Sequence, residues 1–245
     1  MNMINVFILF NRLYKSCFPI YRPIYFAYKY WSDRDKIRLI KTHVKPGMKV
    51  LDIGANIGFY TIFLSKLVGR EGTVYAFEPD EDNFKFLKRL TKNLTNVKPA
   101  NVACGEKSGV ACLYKSSEMN IDHQVYDNGE SREKIAVKIV SLDDYLQGEK
   151  DGVGFVKMDV QGYECHVFRG MKKVIARSRE MFMISELSPY CLKKAGASAE
   201  IYLSEVKRAG FDVEVLSKVE IKDYSSYAED KWFYIDFAAK KTDLI

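Results

Sequence analysis

The sequence predicts an α/β protein, a mostly parallel sheet with helices on both faces. Short apolar runs alternate along the chain with segments whose apolar residues recur at helical spacing. One such pair meets at a glycine-rich junction, and the strand after it ends on an acid. At 245 residues, one large core is enough and no second domain is required.

The first 44 residues read as an N-terminal helical arm, and residues 45–245 as the domain proper. Ten aromatic residues lie within the first 31: Phe7, Phe10, Tyr14, Phe18, Tyr21, Tyr25, Phe26, Tyr28, Tyr30 and Trp31. The same stretch holds Arg12, Lys15, Arg22 and Lys29 and no acid, so it carries +4 of the +6 net charge. A secretory signal does not fit, because no basic segment precedes the apolar run and no small-residue cleavage site follows it. Arg12 and Lys15 also interrupt the run before it could span a bilayer. Three uses remain, in order: an arm broken at Pro19 and Pro23 that packs on the core or on a second subunit, a lid over the substrate, and a peripheral anchor at the inner membrane face.

A helix is expected over Asp33–His43, capped by Ser32, with Ile37, Ile40 and Val44 on one face. Lys45-Pro46-Gly47 turns the chain into a buried strand, Val50–Ile53. After the break at Gly54, a helix face follows with Ile57, Thr61, Leu64 and Val68, and Gly69 with Gly72 ends it. A second strand, Thr73–Phe77, ends on Glu78, and a helix with acids in its first turn begins at Asp80 and buries Phe84, Leu87, Leu90 and Leu94. A third strand is placed near Val97–Ala103. Strands at Val110–Tyr114 and Ile135–Ile139 flank a polar stretch that includes Asn120 and His123, a lone histidine that fits a surface position better than a catalytic base.

Val140–Leu146 begins a short helix, and Val153–Asp159 is a strand ending in an acid. Helical spacing resumes at Val167, Met171, Val174 and Ile175, and Met181–Glu186 is another strand with an acidic tip. A helix over Ser198–Ala209 and strands at Phe211–Leu216 and Trp232–Ala238 complete the chain. The last two strands have no long helix between them, so they are expected to be antiparallel at the sheet edge.

Gly54 and Gly58 allow a tight turn and a close approach of backbone N–H groups to a ligand, and Glu78 is placed to accept ribose hydroxyls. A dinucleotide fingerprint would need glycines where Asn56 and Phe59 stand, which disfavours a nicotinamide enzyme. Outside the first 31 residues the charge is only +2, so no nucleic-acid partner is expected. Cys17, Cys104, Cys112, Cys165 and Cys191 form no C-x-x-C pair, which points to reduced thiols and a cytoplasmic protein rather than a zinc or disulfide scaffold.

The D-x-G-x-x-x-G loop resembles motif I of S-adenosylmethionine-dependent methyltransferases. Taken in order, Val50–Gly58, Phe77-Glu78-Pro79, Ser141-Leu142-Asp143-Asp144 and Lys157–Glu164 resemble the FkbM family of these enzymes. The likeness covers the chain from Val50 to Glu186, with one departure: Gln161 stands where the family commonly has glutamate. It implies a Rossmann-like class I fold with a seven-stranded, mostly parallel sheet and an antiparallel edge strand. It also implies S-adenosylmethionine as cofactor and O-methylation of a sugar, glycan or other small molecule.

The cofactor residues so implied are Asp52, Gly54, Ala55, Asn56, Gly58, Phe59, Glu78, Pro79 and Asp159, with adenine near Asn101, Val102 and Ala103. An alcohol must lose its proton as it attacks the methyl group, so a base is needed. Asp159 and Glu186, at strand tips, are the candidates. Lys157 either snorkels to the surface or keeps Asp159 ionised or binds the methionine carboxylate. The two acids could instead hold a metal, but without a third ligand none is assigned. An RNA methyltransferase and a catalytically silent scaffold are the competing functions, and a homodimer is compatible with the sequence.

Overall fold

The computed structural model describes residues 13–14, 16–116, 122–217 and 223–242. Phe7, Phe10, Arg12, Lys15 and Asn120 of the expectations above lie outside these residues. Seven strands form the main sheet in the order β3-β2-β1-β7-β8-β10-β9: β1 Lys49–Ile53, β2 Thr73–Phe77, β3 Val97–Ala100, β7 Phe155–Met158, β8 Met181–Leu187, β9 Phe211–Leu216 and β10 Ile235–Lys241. All pairings are parallel except those of β10, which runs against β8 on one side and β9 on the other. The closing pair is therefore antiparallel and at the edge, as expected. Within it the reversed strand is β10, one place in, and β9 is outermost.

Alternation along the strands divides the core between the two faces. Leu51, Ile53, Tyr75, Phe77, Val156, Met158, Met181 and Met183 point to one side. Val50, Val74, Phe155, Phe182 and Ile184 point to the other. The second face also receives Asp52 and Lys157, which are register partners on β1 and β7. A polar pair is thereby fixed inside the sheet, beneath the loop that follows β1.

The strand expected over Val97–Ala103 stops at Ala100. Ala103–Cys104 (β4) turns away to pair with β6 (Glu133–Val140), which also pairs with β5 (Gly109–Lys115) in a separate three-stranded sheet. The single helix suggested by Val167 to Ile175 is two, α6 (Glu164–Arg169) and α7 (Lys172–Arg177). The interruption falls at Gly170, where an added Cβ would lie 2.0 Å from the Gly105 carbonyl oxygen. The last strand begins at Ile235, leaving Trp232 and Tyr234 exposed ahead of it.

The helical residues of the arm are interrupted at Cys17, just ahead of Pro19, and helix α1 (Phe18–Ser32) then runs on through Pro23, so only the second predicted break is corrected. Pro19 sits in the first turn, where no N–H is needed, and Pro23 removes only one early bond. The arm packs on its own domain: Tyr14, Phe18 and Tyr21 close over Ile57, and Phe18 stacks on Phe86 with ring centroids 3.6 Å apart. Phe86 belongs to α4 (Glu81–Thr91), whose N-cap Asp80 accepts from the Asp82 and Asn83 amides. The arm thus gives α4 a second buried face beside the expected one through Leu87.

Helix α2 (Arg34–His43) starts one residue later than predicted, without a side-chain cap; Ser32 Oγ donates to Asp33 Oδ1 instead. Asp33 joins the arm to the domain. It meets Lys29 at 2.5 Å and Lys36 at 3.7 Å and accepts from the Tyr60 hydroxyl. Burial alone would raise its pKa, but Lys36, Lys29 and that hydrogen bond hold it at about 2. A lowered carboxylate pKa stabilises above the unfolded value, and the contribution fades as pH falls toward the folded one. Asp33→Asn should therefore cost about 2 kcal/mol at neutral pH. The deficit should shrink between about pH 4 and pH 2, as measured by urea unfolding across that range.

Candidate active site

The turn after β1 takes its shape from three left-handed residues, Gly54 (φ 76°), Asn56 (φ 49°) and Gly58 (φ 95°). Asparagine tolerates that conformation because its side chain can bond locally, and Asn56 Oδ1 accepts the Ile57 amide at 2.8 Å. Helix α3 (Phe59–Val68) then starts at Phe59, two residues after the predicted face, while Ile57 stays buried in the turn. Gly54 and Ala55 both donate to the Phe77 carbonyl, which ties the turn to the end of β2.

Glu78 completes that tie. Its two carboxylate oxygens accept the Asn56 amide at 2.8 Å and the Asp80 amide at 3.0 Å. Burial raises its pKa to about 7, against the pull of these hydrogen bonds. The carboxylate thus holds the loop and the start of α4 together, with the Asn83 side chain as a further hydrogen-bond partner. Asn101 bonds the Glu78 and Pro79 carbonyls. Of the three residues expected near adenine, Asn101 is exposed, whereas Val102 and Ala103 are buried.

Beneath the loop, Asp52 is fully buried. Its Oδ2 accepts from Thr61 Oγ1 at 2.6 Å, and Oδ1 has no hydrogen-bond donor, with Lys157 Nζ 3.8 Å away. Burial raises the Asp52 pKa. Lys157 does not snorkel outward. It donates to the Gly54 carbonyl at 3.0 Å, lies 3.6 Å from Asp159, and sits over the Tyr60 ring.

Asp159 and Glu186 are brought together by Gln161. The Gln161 amide donates to Asp159 Oδ1 at 2.9 Å and to Glu186 Oε2 at 3.2 Å. Gln161 has φ 56°, and its carbonyl accepts the Tyr126 hydroxyl at 2.7 Å. Burial would raise the pKa of Asp159, yet Lys157, Lys29 and Lys36 lower it below the usual carboxylate value. Glu186 goes the other way: burial first, then the charges of Asp159, Glu164 and Asp236, push it well up. The pKa values of two neighbouring carboxyls are thereby pushed apart, a pattern suited to acid–base work.

Three participants are absent from the predicted set. Asp236 is the register partner of Glu186, and Lys36 of α2 reaches it at 3.0 Å. Tyr60, directly after the loop, lines a small cavity with Lys36, Lys157, Asp159 and Asp236. Tyr60 follows the glycine motif in sequence and could have been suspected; the other two depend on long-range pairing. Glu164 has a local task, accepting the Val160 and Gly162 amides, and burial raises its pKa to about 7. His123 is neither free at the surface nor beside the acid pair: its side chain is 9% exposed, Nδ1 accepts the Ser116 amide, and Nε2 faces Asp80. Among the described residues, no three His, Cys, Asp or Glu side chains converge to hold a metal ion.

A groove of about 440 Å³ opens at Pro79 and Asn101 and continues along Asp80, Lys115, Ile135 and Val137. That volume is in the range of small-molecule sites. Two of the residues expected at the cofactor, Pro79 and Asn101, border this groove, whereas Asp52, Gly54 and Glu78 do not line it.

A family model described as the methyltransferase FkbM domain matches residues 52–213. The hexuronic acid methyltransferase AglP of Haloferax volcanii is 30% identical over 150 residues, covering 59% of this chain and 58% of that protein. The chain therefore matches a little over half the length of this relative. The rRNA 2'-O-methyltransferase fibrillarin of Xenopus laevis is 42% identical over only 57 residues, 23% of this chain and 18% of that protein. Among solved structures, an FkbM methyltransferase from Methylobacillus flagellatus KT superposes with a TM-score of 0.50 at 15% identity, covering 78% of this chain and 43% of that one.

Proposed function

Because the chain belongs to the FkbM family of methyltransferases, we propose that it transfers the methyl group of S-adenosylmethionine to an oxygen of a sugar. Hexuronic acids are the acceptor class to try first, in view of the similarity to AglP. The observation that carries this reading is the acid pair beside the glycine loop, Asp159 and Glu186 joined through the Gln161 amide, with Lys157 close to Asp159.

When bound, S-adenosylmethionine supplies an electrophilic methyl group on a sulfonium, which leaves without help from an acid. The protein's share is alignment and proton removal. Gly54, Ala55 and Asn56 would hold the methionine portion, Glu78 the ribose and Asn101 the adenine edge. Asp159 would accept the proton of the acceptor hydroxyl. Lys157 positions Asp159 and braces the Gly54 carbonyl. The raised pKa of Glu186 disfavours a second negative charge beside the base. In-line alignment can contribute on the order of 7–11 kcal/mol, with proton transfer adding about 10²–10⁴-fold.

Calorimetric titration should give saturable binding of S-adenosylmethionine and of its demethylated product. Tritiated donor should label hexuronic acid glycosides. Absence of heat with both nucleosides would remove the proposal, and labelling of RNA but of no sugar would transfer it to the fibrillarin-like reading.

A further inference from the structure

The helix that closes over the glycine loop has a second face that none of the described residues covers. Ile20, Pro23, Ile24, Ala27, Tyr28 and Trp31 fall at spacings of three and four and form one stripe along α1. All six are exposed, Trp31 to 69% and Ile20 to 53%. Phe18 and Tyr21 are buried on the opposite face against Ile57 and Phe86, so the stripe is held pointing away from the domain.

We propose that this stripe rests on an anionic lipid surface, with α1 lying in the plane of the interface. Charge favours that occupant: α1 carries the exposed Arg22 and no acid, Lys29 being paired with Asp33, and the sequence ahead of it adds Arg12 and Lys15. Each basic residue near an anionic bilayer adds a modest attraction that salt screens. Composition favours it too, since tyrosine and tryptophan settle at the headgroup level while isoleucines reach the acyl boundary. Among the described residues no helix is long and apolar enough to cross a membrane. The helix would lie on the surface, its buried face still covering the glycine loop. The inference is independent of the methyl acceptor.

Flotation of the full chain with vesicles of phosphatidylcholine, with and without phosphatidylglycerol, tests it. The protein should float with the anionic vesicles, and added salt should reduce the bound fraction. Ile24→Ser/Tyr28→Ser/Trp31→Ser changes exposed positions only, so its circular dichroism and S-adenosylmethionine titration should match the parent. Its affinity for the anionic vesicles should fall by more than about a hundredfold. Equal flotation of the two proteins, or none by either, would overturn the proposal. So would a concentration-dependent dimer that the triple variant disperses, which would give the stripe to a second copy of the chain.

Discussion

Gly54→Ala should destabilise the protein by on the order of 4 kcal/mol and abolish S-adenosylmethionine binding. Two costs add at this position. The backbone has φ 76°, where a Cβ is disfavoured by about 1–2 kcal/mol. The new atom would also lie 1.8 Å from the Asp159 carbonyl oxygen and 2.9 Å from its carbon. That wall is backbone, fixed by the Asp159 amide bonded to the Ile53 carbonyl at 3.1 Å, so no side-chain rotation relieves it. The turn must open, and opening it separates the loop from the tip of β7.

Two other left-handed glycines supply controls. At Gly58 an added Cβ meets Leu87 Cδ1 at 2.9 Å, the end of a side chain that can shift. At Gly47 it meets nothing within 4 Å. Alanine should therefore cost most at position 54, less at 58, and least at 47, where only the backbone term of about 1 kcal/mol remains. Chemical denaturation of the three variants measures the order. Equal losses would mean that the loop is not wedged against Asp159.

That contrast also explains what was legible in the sequence. The glycine turn, the acid on β2 and the acids on β7 and β8 are all encoded within a few residues of a strand end, so periodicity and turn chemistry find them. The direction of β10 is not local: it inserts beside β8, which places Asp236 opposite Glu186. Like charges directly opposite would be unfavourable. Lys36 bridges the pair's outer member from a helix some 200 residues away in the sequence, a contact no spacing rule reveals. Gly170 is similar, since its need for glycine comes from the Gly105 carbonyl across the fold. Lys157 is a different failure. A strand lysine ordinarily reaches for water, but its register partner is Asp52 and its acceptor is the Gly54 carbonyl.

Asp159→Asn and Glu186→Gln should have very unequal effects on methyl transfer, although both replace a carboxyl by an amide. Asp159 is held ionised by Lys157, Lys29 and Lys36 despite its burial. Removing its charge removes the proton acceptor and should lower kcat/KM by about 10²–10⁴-fold, leaving substrate alignment as the residual catalysis. Burial and the charges of Asp159, Glu164 and Asp236 push the Glu186 pKa well up, which favours its protonated form. A neutral amide of the same shape reproduces that state, so Glu186→Gln should retain activity within about fivefold.

The pH dependence separates the roles further. The Asp159 pKa lies below the ordinary carboxylate value, so the parent should lose activity only as the pH falls below that range. The remaining activity of Asp159→Asn should lack this acid limb. The Glu186 carboxyl, with its pKa raised, ionises only at higher pH and then places a second negative charge on the Gln161 amide that already serves Asp159. Any change in rate across that range should disappear in Glu186→Gln. Initial rates from radiolabelled donor across the pH range provide the comparison. Equal losses in the two variants would show that the acids share the proton rather than divide the work, and Asp159 would no longer stand as the separate base.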